Sequence, residues 1–296
     1  MLHELPKVYG EYVFNFPLKD LSFLGVGGVC DVLFRPKNYD DLACFLRNKP
    51  NELEITVLGN LSNVLILDGG IRGCVITLPK SLDDAIFLQN KLIAGAGVIL
   101  TQLIRRCLEL NISCCEKLIG IPGTLGGAIA MNAGIPDFEI SDVLESVTGI
   151  DFNGHNLVFA KDDINMQYRD GCIPEGVVII SATLKTHHKT EKEIMKDIDS
   201  VLLKRKNSQP IGQKTCGSTF KNPIGIKAWQ LIKAANCDKL RIGDAAVSDV
   251  HCNFLVNLGN AKALDFLCLI KMIKEKVFEK TEVLLEEEVV IIGENL

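Results

Sequence analysis

Two glycine-containing segments carry residue types that could bind a pyrophosphate. The first is Gly59-Asn60-Leu61-Ser62-Asn63, which directly follows a short apolar run. Glycine allows a ligand to approach the backbone closely, and successive backbone N–H groups can form a concavity that binds anions. The side chains of Ser62 and Asn63 add short hydrogen-bond donors. The same residue types also form ordinary turns, so this segment alone supports both interpretations.

The second segment contains four glycines within eight positions and one proline. A helix interior would lose roughly 0.5–1 kcal/mol for each glycine relative to alanine, so the small residues indicate that a flat ligand or another backbone packs closely. A tight turn packed on its own sheet is the alternative. The spacing matches neither the Rossmann fingerprint nor the P-loop. The residues are Gly120, Ile121, Pro122, Gly123, Thr124, Leu125, Gly126, Gly127 and Ala128, followed by Met131, Asn132, Ala133 and Gly134.

The elements that must position these segments follow from the apolar pattern. Short runs rich in β-branched residues predict strands at residues 55–59, 64–67, 74–78, 92–97 and 177–184. Helical spacing predicts a helix within residues 98–110 and an amphipathic helix within the charged stretch 185–206. The last third predicts a compact α/β unit with helices near 226–235 and 261–280, a strand near 252–256 and a final strand at 289–292.

The composition indicates a globular protein without a broad nucleic-acid-binding surface. Of the 296 residues, 47% are hydrophobic and 23% are charged, and the formal net charge is −5. That charge disfavours nonspecific nucleic-acid binding, and no run approaches the roughly 18 apolar residues of a membrane span. The N-terminal residues contain no signal-peptide core, so we expect a cytoplasmic protein without membrane insertion. The 11 cysteines show no CxxC pair, which predicts mostly small apolar cysteines and no metal site.

Several motifs, in this order, resemble the UDP-N-acetylenolpyruvoylglucosamine reductase family. The resemblance runs from about Ser22 to Gly293. Several motifs in the family's order are more specific than any one of them. They are Val26-Gly27-Gly28 after Ser22, Ser62-Asn63, Ile121-Pro122-Gly123-Thr124 with Gly126-Gly127, Met131-Asn132-Ala133-Gly134, Tyr168-Arg169, Gly217-Ser218-Thr219-Phe220-Lys221-Asn222-Pro223, Val247-Ser248 with His251 and Asn253, and Leu285-Glu286-Glu287-Glu288-Val289 before Ile292-Gly293.

The resemblance implies an α+β fold. It consists of a vanillyl-alcohol-oxidase/PCMH-type FAD-binding fold in two subdomains and a C-terminal α/β substrate domain. We place these at residues 1–75, 76–188 and 189–296, with the last strand returning to the first subdomain. The resemblance also implies noncovalently bound FAD. Its implied contacts are Gly59, Asn60, Leu61, Ser62, Asn63, Gly97, Ile121, Pro122, Gly123, Thr124, Gly126, Gly127, Asn132 and Gly134.

The implied reaction is the reduction of UDP-N-acetylglucosamine enolpyruvate by NADPH in peptidoglycan precursor synthesis. Hydride passes from FAD N5 to the enolpyruvyl carbon. Arg169 matches the family position that stabilises the charge developing on the substrate carboxylate, a task suited to a planar guanidinium. Ser218 matches the proton donor, and Glu288 matches a catalytic glutamate that either orients the substrate or assists protonation. Without the resemblance, these residues would be interpreted as a surface ion-pair partner, a turn residue and part of an exposed acidic run.

Three further residues match substrate-contacting positions of the family, namely Tyr168, Lys221 and Asn222. Leu61 stands where the family usually has glycine, which predicts an altered backbone approach to the FAD phosphates. The short interval between Arg169 and Ser218 resembles the family's shorter type, which lacks a tyrosine-bearing loop over the substrate.

Two other functions compete with this interpretation. One is another FAD-linked oxidase or dehydrogenase of the same fold, against which the motifs of the C-terminal region argue. The other is a binding protein that retains the fold without catalysis, which the joint presence of Arg169, Ser218 and Glu288 disfavours.

We predict that the purified protein is yellow and carries one FAD, because it contains the two glycine-containing segments described above. The FAD should be bound noncovalently, because neither segment contains a histidine for covalent attachment. Acid precipitation followed by chromatography of the supernatant should recover the flavin intact. A folded, colourless protein that takes up no FAD would contradict the prediction, and flavin retained in the precipitate would contradict its noncovalent part.

Overall fold

The computed structural model describes residues 4–80 and 84–296 and divides the chain into two compact units. Unit 1 comprises Met1–Val13, Val32–Asn60 and Gly73–Lys204. Unit 2 comprises Phe14–Asp31, Leu61–Arg72 and Arg205–Leu296. Each unit therefore combines segments that are distant in the sequence. The functional domain limits given above stay a prediction, because this division follows contacts alone.

The helices and strands found in the described residues include every element that the apolar pattern predicts, most with ends shifted by one to three residues. The helices are α1 Tyr39–Asn48, α2 Leu100–Glu109, α3 Leu125–Ala130, α4 Glu191–Ser208, α5 Ala228–Ala234 and α6 Ala263–Thr281. The strands are β1 Glu11–Pro17, β2 Val29–Arg35, β3 Ile55–Leu58, β4 Val64–Ile66, β5 Ile71–Thr77, β6 Ala85–Phe87, β7 Lys91–Gly95, β8 Ile112–Ser113, β9 Gly134–Ile135, β10 Phe138–Glu139, β11 Leu144–Asp151, β12 Asn156–Ala160, β13 Val177–Lys185, β14 His187–His188, β15 Lys214–Ser218, β16 Arg241–Ile242, β17 Ala245–Val247, β18 Phe254–Asn257 and β19 Val290–Ile292.

Unit 1 is built on an antiparallel five-stranded sheet with the strand order β12-β11-β13-β7-β6. Its central strand β13 pairs Ala182 with Val147 on one side and with Ala94 on the other. Residues from α2, α3 and α4 complete the buried core on this sheet, with Leu103, Leu125 and Ile194 among its members. Burying these apolar faces away from water is the main stabilising contribution.

A second sheet with the order β1-β2-β5-β3 supplies the other core of unit 1. Helix α1 covers it, and the ring centres of Phe34 in β2 and Phe45 in the helix are 4.5 Å apart, with the rings tilted. The side chain of Asn38 caps α1 by accepting a hydrogen bond from the backbone N–H of Asp41 at 3.0 Å. Strands β3 and β5 pair in parallel, so the chain beyond each of them emerges on the same edge of the sheet.

Unit 2 contains the antiparallel sheet β15-β18-β17-β16 and the parallel pair of β4 with β19. Helices α5 and α6 contribute to its core, in which Phe220 and Phe266 are almost completely buried. Within residues 4–80 and 84–296, no helix is long and apolar enough to cross a membrane.

A buried carboxylate in unit 1 makes part of its stability depend on pH. Glu116 accepts hydrogen bonds from the Ser113 hydroxyl at 2.6 Å, the Cys114 N–H at 2.9 Å and the Lys189 ammonium at 3.0 Å. Burial acts to raise the pKa of Glu116, but these hydrogen bonds outweigh it and hold the pKa below its ordinary value. The ionised form therefore stabilises the fold above the unfolded-state pKa, and this contribution is lost as the pH falls through the folded-state pKa.

We predict that Glu116→Gln lowers the free energy of unfolding at pH 7 by about 1.5–3 kcal/mol, the range for hydrogen bonds to a charged group. Urea denaturation at pH 7 and at acid pH measures the difference from wild type, which should shrink on acidification. The matched control is Glu109→Gln, because Glu109 pairs with Arg106 on the exposed face of α2 and should change stability by less than about 0.5 kcal/mol. Equal destabilisation at both pH values would contradict the role of the charge.

Candidate active site

A cleft of about 280 Å³ lies within unit 1, where the ends of several strands meet the start of α3. Its walls are mostly backbone and small or apolar side chains, which suits a ligand with a flat aromatic part. The lining residues are Val57, Leu58, Gly59, Leu78, Lys80, Ala96, Gly97, Thr124, Gly126, Gly127, Ala130, Ile173, Pro174, Glu175, Gly176, Val177, Val178 and Ile179.

Two positions in the cleft require glycine because another part of the chain lies too close for a side chain. A Cβ atom on Gly97 would lie 1.8 Å from the carbonyl oxygen of Pro79, and one on Gly126 would lie 2.8 Å from the Cβ of Ala96. Any side chain at either position would push the backbone apart and change the shape of the wall. Thr124 adds a second constraint, since its Oγ1 accepts a hydrogen bond from the Gly127 N–H at 3.2 Å and caps α3.

Lys80 is the one cation among the described residues that line the cleft. Its Nζ donates a hydrogen bond to Oδ1 of Asn60 at 2.8 Å. Burial, together with the nearby charge of Arg35, lowers the pKa of Lys80 below the ordinary lysine value. A bound anion would offset both effects, so the cleft is electrostatically suited to a phosphate group next to the glycine backbone.

These features fit the phosphate-bearing part of FAD. The cleft offers apolar surface from Val57 and Ile179, close backbone access at its glycines and the positive charge of Lys80. Its volume is near the lower end for a small-ligand pocket, so it suits a portion of the dinucleotide. Five of the residues predicted to contact the flavin line it, namely Gly59, Gly97, Thr124, Gly126 and Gly127.

The other predicted flavin residues lie outside the lining of the cleft. Asn60 is linked to the cleft through Lys80, whereas Leu61, Ser62 and Asn63 belong to unit 2. The lining in turn includes Lys80 and residues 173–179, which the sequence analysis missed. A usable signal was present, because the turn-forming Pro174-Glu175-Gly176 directly precedes the predicted strand. The remaining predicted contacts outside the lining are Ile121, Pro122, Gly123, Asn132 and Gly134.

Leu61 adopts the backbone conformation that explains the glycine usual at its position. Its φ angle is +51°, in the left-handed region that glycine adopts without steric cost. The Leu61 side chain is only 4% exposed, and its carbonyl oxygen accepts a hydrogen bond from the Phe23 N–H at 3.3 Å. Burial of the leucine side chain within unit 2 therefore opposes the backbone strain.

Arg169 occupies a tight turn in unit 1. The backbones of Gln167 and Asp170 exchange hydrogen bonds of 2.8 and 3.0 Å around Tyr168 and Arg169, and Arg169 has a φ of +59°. Its guanidinium donates to the carbonyl oxygen of Gly134 at 2.9 Å and lies 4.8 Å from the centre of the Tyr168 ring. The arginine predicted to be catalytic is thus held in one place by several contacts.

Ser218 and Glu288 are brought to the same corner of unit 2 by backbone pairing. Ser218 ends β15 opposite Phe254, after Gly217 with a φ of +85° and a shift in register. The carbonyl oxygen of the next residue, Thr219, accepts a hydrogen bond from the Glu288 N–H at 2.8 Å. The two predicted catalytic residues therefore lie on adjoining backbone segments.

The buried amide of Asn253 fixes this corner. Its Nδ2 donates to the Phe220 carbonyl at 2.8 Å, and its Oδ1 accepts from the Phe220 N–H at 3.0 Å. The Asn253 carbonyl also accepts from the Thr219 N–H at 2.8 Å. One side chain thus replaces a strand as pairing partner, because both polar groups of buried Phe220 must be satisfied.

Two lysines near this corner form ion pairs with two of the three consecutive glutamates at residues 286–288. Lys221 pairs with Glu286 at 2.5 Å, and Lys274 pairs with Glu287 at 2.7 Å. Asn222, predicted to contact substrate, accepts a hydrogen bond from the Ala228 N–H at 3.0 Å through its Oδ1. This contact at the start of α5 gives the Asn222 carbonyl group a structural role.

Cys216 and His251, which lie in the same motifs, are unsuited to reactive roles. Burial raises the pKa of the Cys216 thiol to about 12, so the nucleophilic thiolate is scarcely populated near neutral pH. Burial lowers the pKa of His251, and its Nδ1 accepts a hydrogen bond from the Asn253 N–H at 3.2 Å. Both residues support the packing of the corner.

Two protein-family models match two different ranges of the chain. Residues 209–292 match the family described as UDP-N-acetylenolpyruvoylglucosamine reductase, C-terminal domain, and residues 30–159 match the FAD binding domain family. The predicted α+β fold class is confirmed by these matches and by the similarity to a solved structure described in the next paragraph.

Relatives match along nearly the full length. The UDP-N-acetylenolpyruvoylglucosamine reductase of Orientia tsutsugamushi (strain Boryong) is 42% identical over 296 residues, covering 98% of this chain and 97% of the relative. The Rickettsia typhi protein of the same name is 39% identical over 289 residues, covering 98% of each chain. The crystal structure of the Thermus caldophilus reductase of this name superimposes with a TM-score of 0.84 at 34% identity, covering 97% of this chain and all of the other (100%).

We predict that Lys80→Met weakens FAD binding roughly 10- to 100-fold, because one charge-assisted hydrogen bond contributes about 1.5–3 kcal/mol. Quenching of flavin fluorescence during titration of the flavin-stripped protein measures the Kd. The loss should be smaller at high salt, where the contribution of the lysine charge is already screened. The matched control is Lys37→Met, which removes the same charge at an exposed position outside the cleft and should leave the Kd unchanged. Equal FAD affinity of Lys80→Met and wild type would exclude a phosphate contact.

Proposed function

The chain belongs to the UDP-N-acetylenolpyruvoylglucosamine reductase family, and from that premise we propose how its residues divide the work of the reaction. It is an FAD-dependent oxidoreductase that reduces the enolpyruvyl group of UDP-N-acetylglucosamine enolpyruvate with NADPH, in peptidoglycan precursor synthesis. We propose the cytoplasm as its compartment.

The residues that would hold FAD are those of the cleft in unit 1. When bound there, FAD would supply the transfer of hydride from NADPH to the substrate. The backbone at Gly59, Gly97 and Gly126 would give the cofactor close access, and Lys80 would contact a phosphate. The apolar lining keeps water away from the aromatic part, which strengthens the polar contacts at the other end.

Arg169 stabilises the substrate carboxylate as hydride adds to the neighbouring carbon–carbon double bond. The electron pair displaced from that bond spreads onto the carboxylate, so negative charge increases there in the transition state. A fixed guanidinium interacts more strongly with that state than with the ground state, and this difference accelerates the reaction. The turn that holds Arg169 reduces the reorganisation needed.

Ser218 donates the proton that completes the reduction at the second carbon. A hydroxyl is a weak acid in water, so it must be placed close to the carbon in a site that excludes water. Glu288 orients the substrate or supports this proton transfer. Tyr168, Lys221 and Asn222 bind the substrate, with Asn222 acting in addition to its contact at α5.

The single observation that carries this proposal is the joining of Ser218 and Glu288 within unit 2. The two residues are 70 positions apart in the sequence, and one hydrogen bond from Glu288 N–H to Thr219 carbonyl places them on adjoining segments. Both residues also fall inside the C-terminal family match at residues 209–292.

We predict that Ser218→Ala retains flavin reduction by NADPH but loses rapid flavin reoxidation by the UDP-sugar. Loss of a general acid typically slows a reaction roughly 10²- to 10⁴-fold. Anaerobic stopped-flow absorbance follows the two half-reactions separately, and Ser218→Cys should recover part of the second. The wild-type protein must first oxidise NADPH in response to UDP-N-acetylglucosamine enolpyruvate, or the proposed function fails.

The matched control for Ser218→Ala is Thr215→Val in the same strand. The Thr215 hydroxyl is buried and has no hydrogen-bond partner among the described residues, so its removal should leave both half-reactions at the wild-type rate. Equal slowing of both half-reactions in Ser218→Ala, or loss of NADPH reduction alone, would exclude Ser218 as the proton donor.

A further inference from the structure

Glu139 lies beside Arg169 in unit 1 and is not among the predicted site residues. One carboxylate oxygen, Oε1, is 3.7 Å from the Arg169 guanidinium. The other, Oε2, accepts a hydrogen bond from Nδ2 of Asn132 at 2.8 Å. The Glu139 side chain therefore spans the space between a buried amide and a guanidinium whose side chain is only 16% exposed.

Asn132 connects the same carboxylate to the turn that carries Arg169. Its Nδ2 also donates to the carbonyl oxygen of Gln167 at 3.0 Å, and its Oδ1 accepts from the Ser141 N–H at 3.3 Å. Asn132 is 1% exposed, so its side-chain orientation is fixed by these hydrogen bonds and by packing. Gln167 starts the tight turn, and its position is thereby tied to Glu139 through one side chain.

The backbone of the β9–β10 hairpin completes the support of Arg169. Gly134 in β9 accepts a hydrogen bond from the guanidinium through its carbonyl oxygen at 2.9 Å. Glu139 in β10 pairs with Gly134 across the hairpin. Carboxylate and carbonyl thus contact the guanidinium from one short element, which defines both its position and the plane of its donors.

The distance between Glu139 and Arg169 is long for a tight bidentate pair. At 3.7 Å the carboxylate attracts the guanidinium without the two short parallel hydrogen bonds that would fully engage it. Glu139 therefore helps to orient the arginine without forming a bidentate pair with it. Orientation of this kind suits an arginine that must meet a carboxylate of a ligand in a defined geometry.

We propose that Glu139 is a positioning residue that acts through Arg169, holding the guanidinium in the orientation needed to stabilise the substrate carboxylate. The proposal rests on the function assigned to Arg169 above. Glu139 contacts the guanidinium directly, and through Asn132 it also fixes the turn. Its removal leaves Arg169 charged but less well oriented, so the step that requires the arginine slows.

The test is Glu139→Gln, which keeps the size of the side chain and removes its charge. Reoxidation of the reduced flavin by UDP-N-acetylglucosamine enolpyruvate should slow roughly 10- to 100-fold, the cost of a displaced catalytic group. Reduction by NADPH should proceed at the wild-type rate, since it does not involve the substrate carboxylate. Glu145→Gln is the matched control, because Glu145 in β11 pairs with Lys91 away from Arg169, and both half-reactions should be unchanged.

A double-mutant cycle separates action through Arg169 from a general structural effect. In an Arg169→Met background, Glu139→Gln should cause no further slowing of the UDP-sugar half-reaction. The same additional slowing in both backgrounds would overturn the proposal, as would equal slowing of the two half-reactions. Glu139→Asp retains the charge on a shorter side chain and should be slowed less than Glu139→Gln.

The outcomes distinguish this proposal from the function on which it rests. If the wild-type protein does not respond to the UDP-sugar, the proposed function fails. If the wild type turns over and Glu139→Gln matches it, only the role of Glu139 is overturned. Should Glu139→Gln not fold, the same comparison is made with Glu139→Asp, for which selective slowing of the UDP-sugar half-reaction supports the proposal and wild-type or equally slowed half-reactions overturn it.

Discussion

The parallel pairing of β19 with β4 is the interaction on which the arrangement of unit 2 depends. It joins Val290–Ile292 to Val64–Ile66, and two such short strands would not be stable alone. Further hydrogen bonds extend the pairing at both ends. Nδ2 of Asn63 donates to the Glu288 carbonyl at 3.1 Å, and the Gly69 N–H donates to the Glu294 carbonyl at 2.9 Å. The position of Glu288 follows from this pairing, because it is two residues from the strand.

The shape of the cleft in unit 1 depends on a different constraint, which is the close packing of one backbone segment against another. At Gly97 the neighbouring chain leaves no space for a side chain, so this part of the wall of the cleft consists of peptide groups. Peptide groups are strongly polar, yet they add no bulk and no net charge. Lys80 and Glu175 are the charged residues among the described lining residues, so Lys80 supplies a local positive charge in a chain with a formal net charge of −5.

The sequence predicted the elements with strong apolar periodicity and the residues that belong to long motifs. Helix α6 and strand β13 were found because their apolar residues follow one clear period. Helix α1 and strands β1 and β2 were missed. In β1 no residue is buried, so its apolar period is weak. Lys80 was missed for another reason. Nothing in the sequence near Lys80 indicates that it lies close to Gly97, because only the folded chain brings the two residues together.

The same limit applies to the catalytic residues. Arg169 and Ser218 were identified by motif, whereas the contacts that position them are long-range. The hydrogen bond from Asn63 to Glu288 spans 225 positions, and no local pattern encodes a contact of that separation. Asn132 illustrates the difference between a motif and its physical role. It was predicted as a flavin contact, and its side chain is engaged by Glu139, Gln167 and Ser141.

The pairing of β19 with β4 also has a consequence for folding during synthesis, because it cannot form until β19 has been made. Residues 64–66 are synthesised roughly 220 residues before their partner at residues 290–292. At ordinary rates of translation this interval is roughly 10 to 45 s. Throughout that time the edge of β4 lacks its native partner, so the nascent chain must be protected from pairing with other molecules. A chain that lacked residues 290–292 would lose the strand pairing next to Glu288 and would keep the Glu288 backbone hydrogen bonds to Thr219 and Asn63.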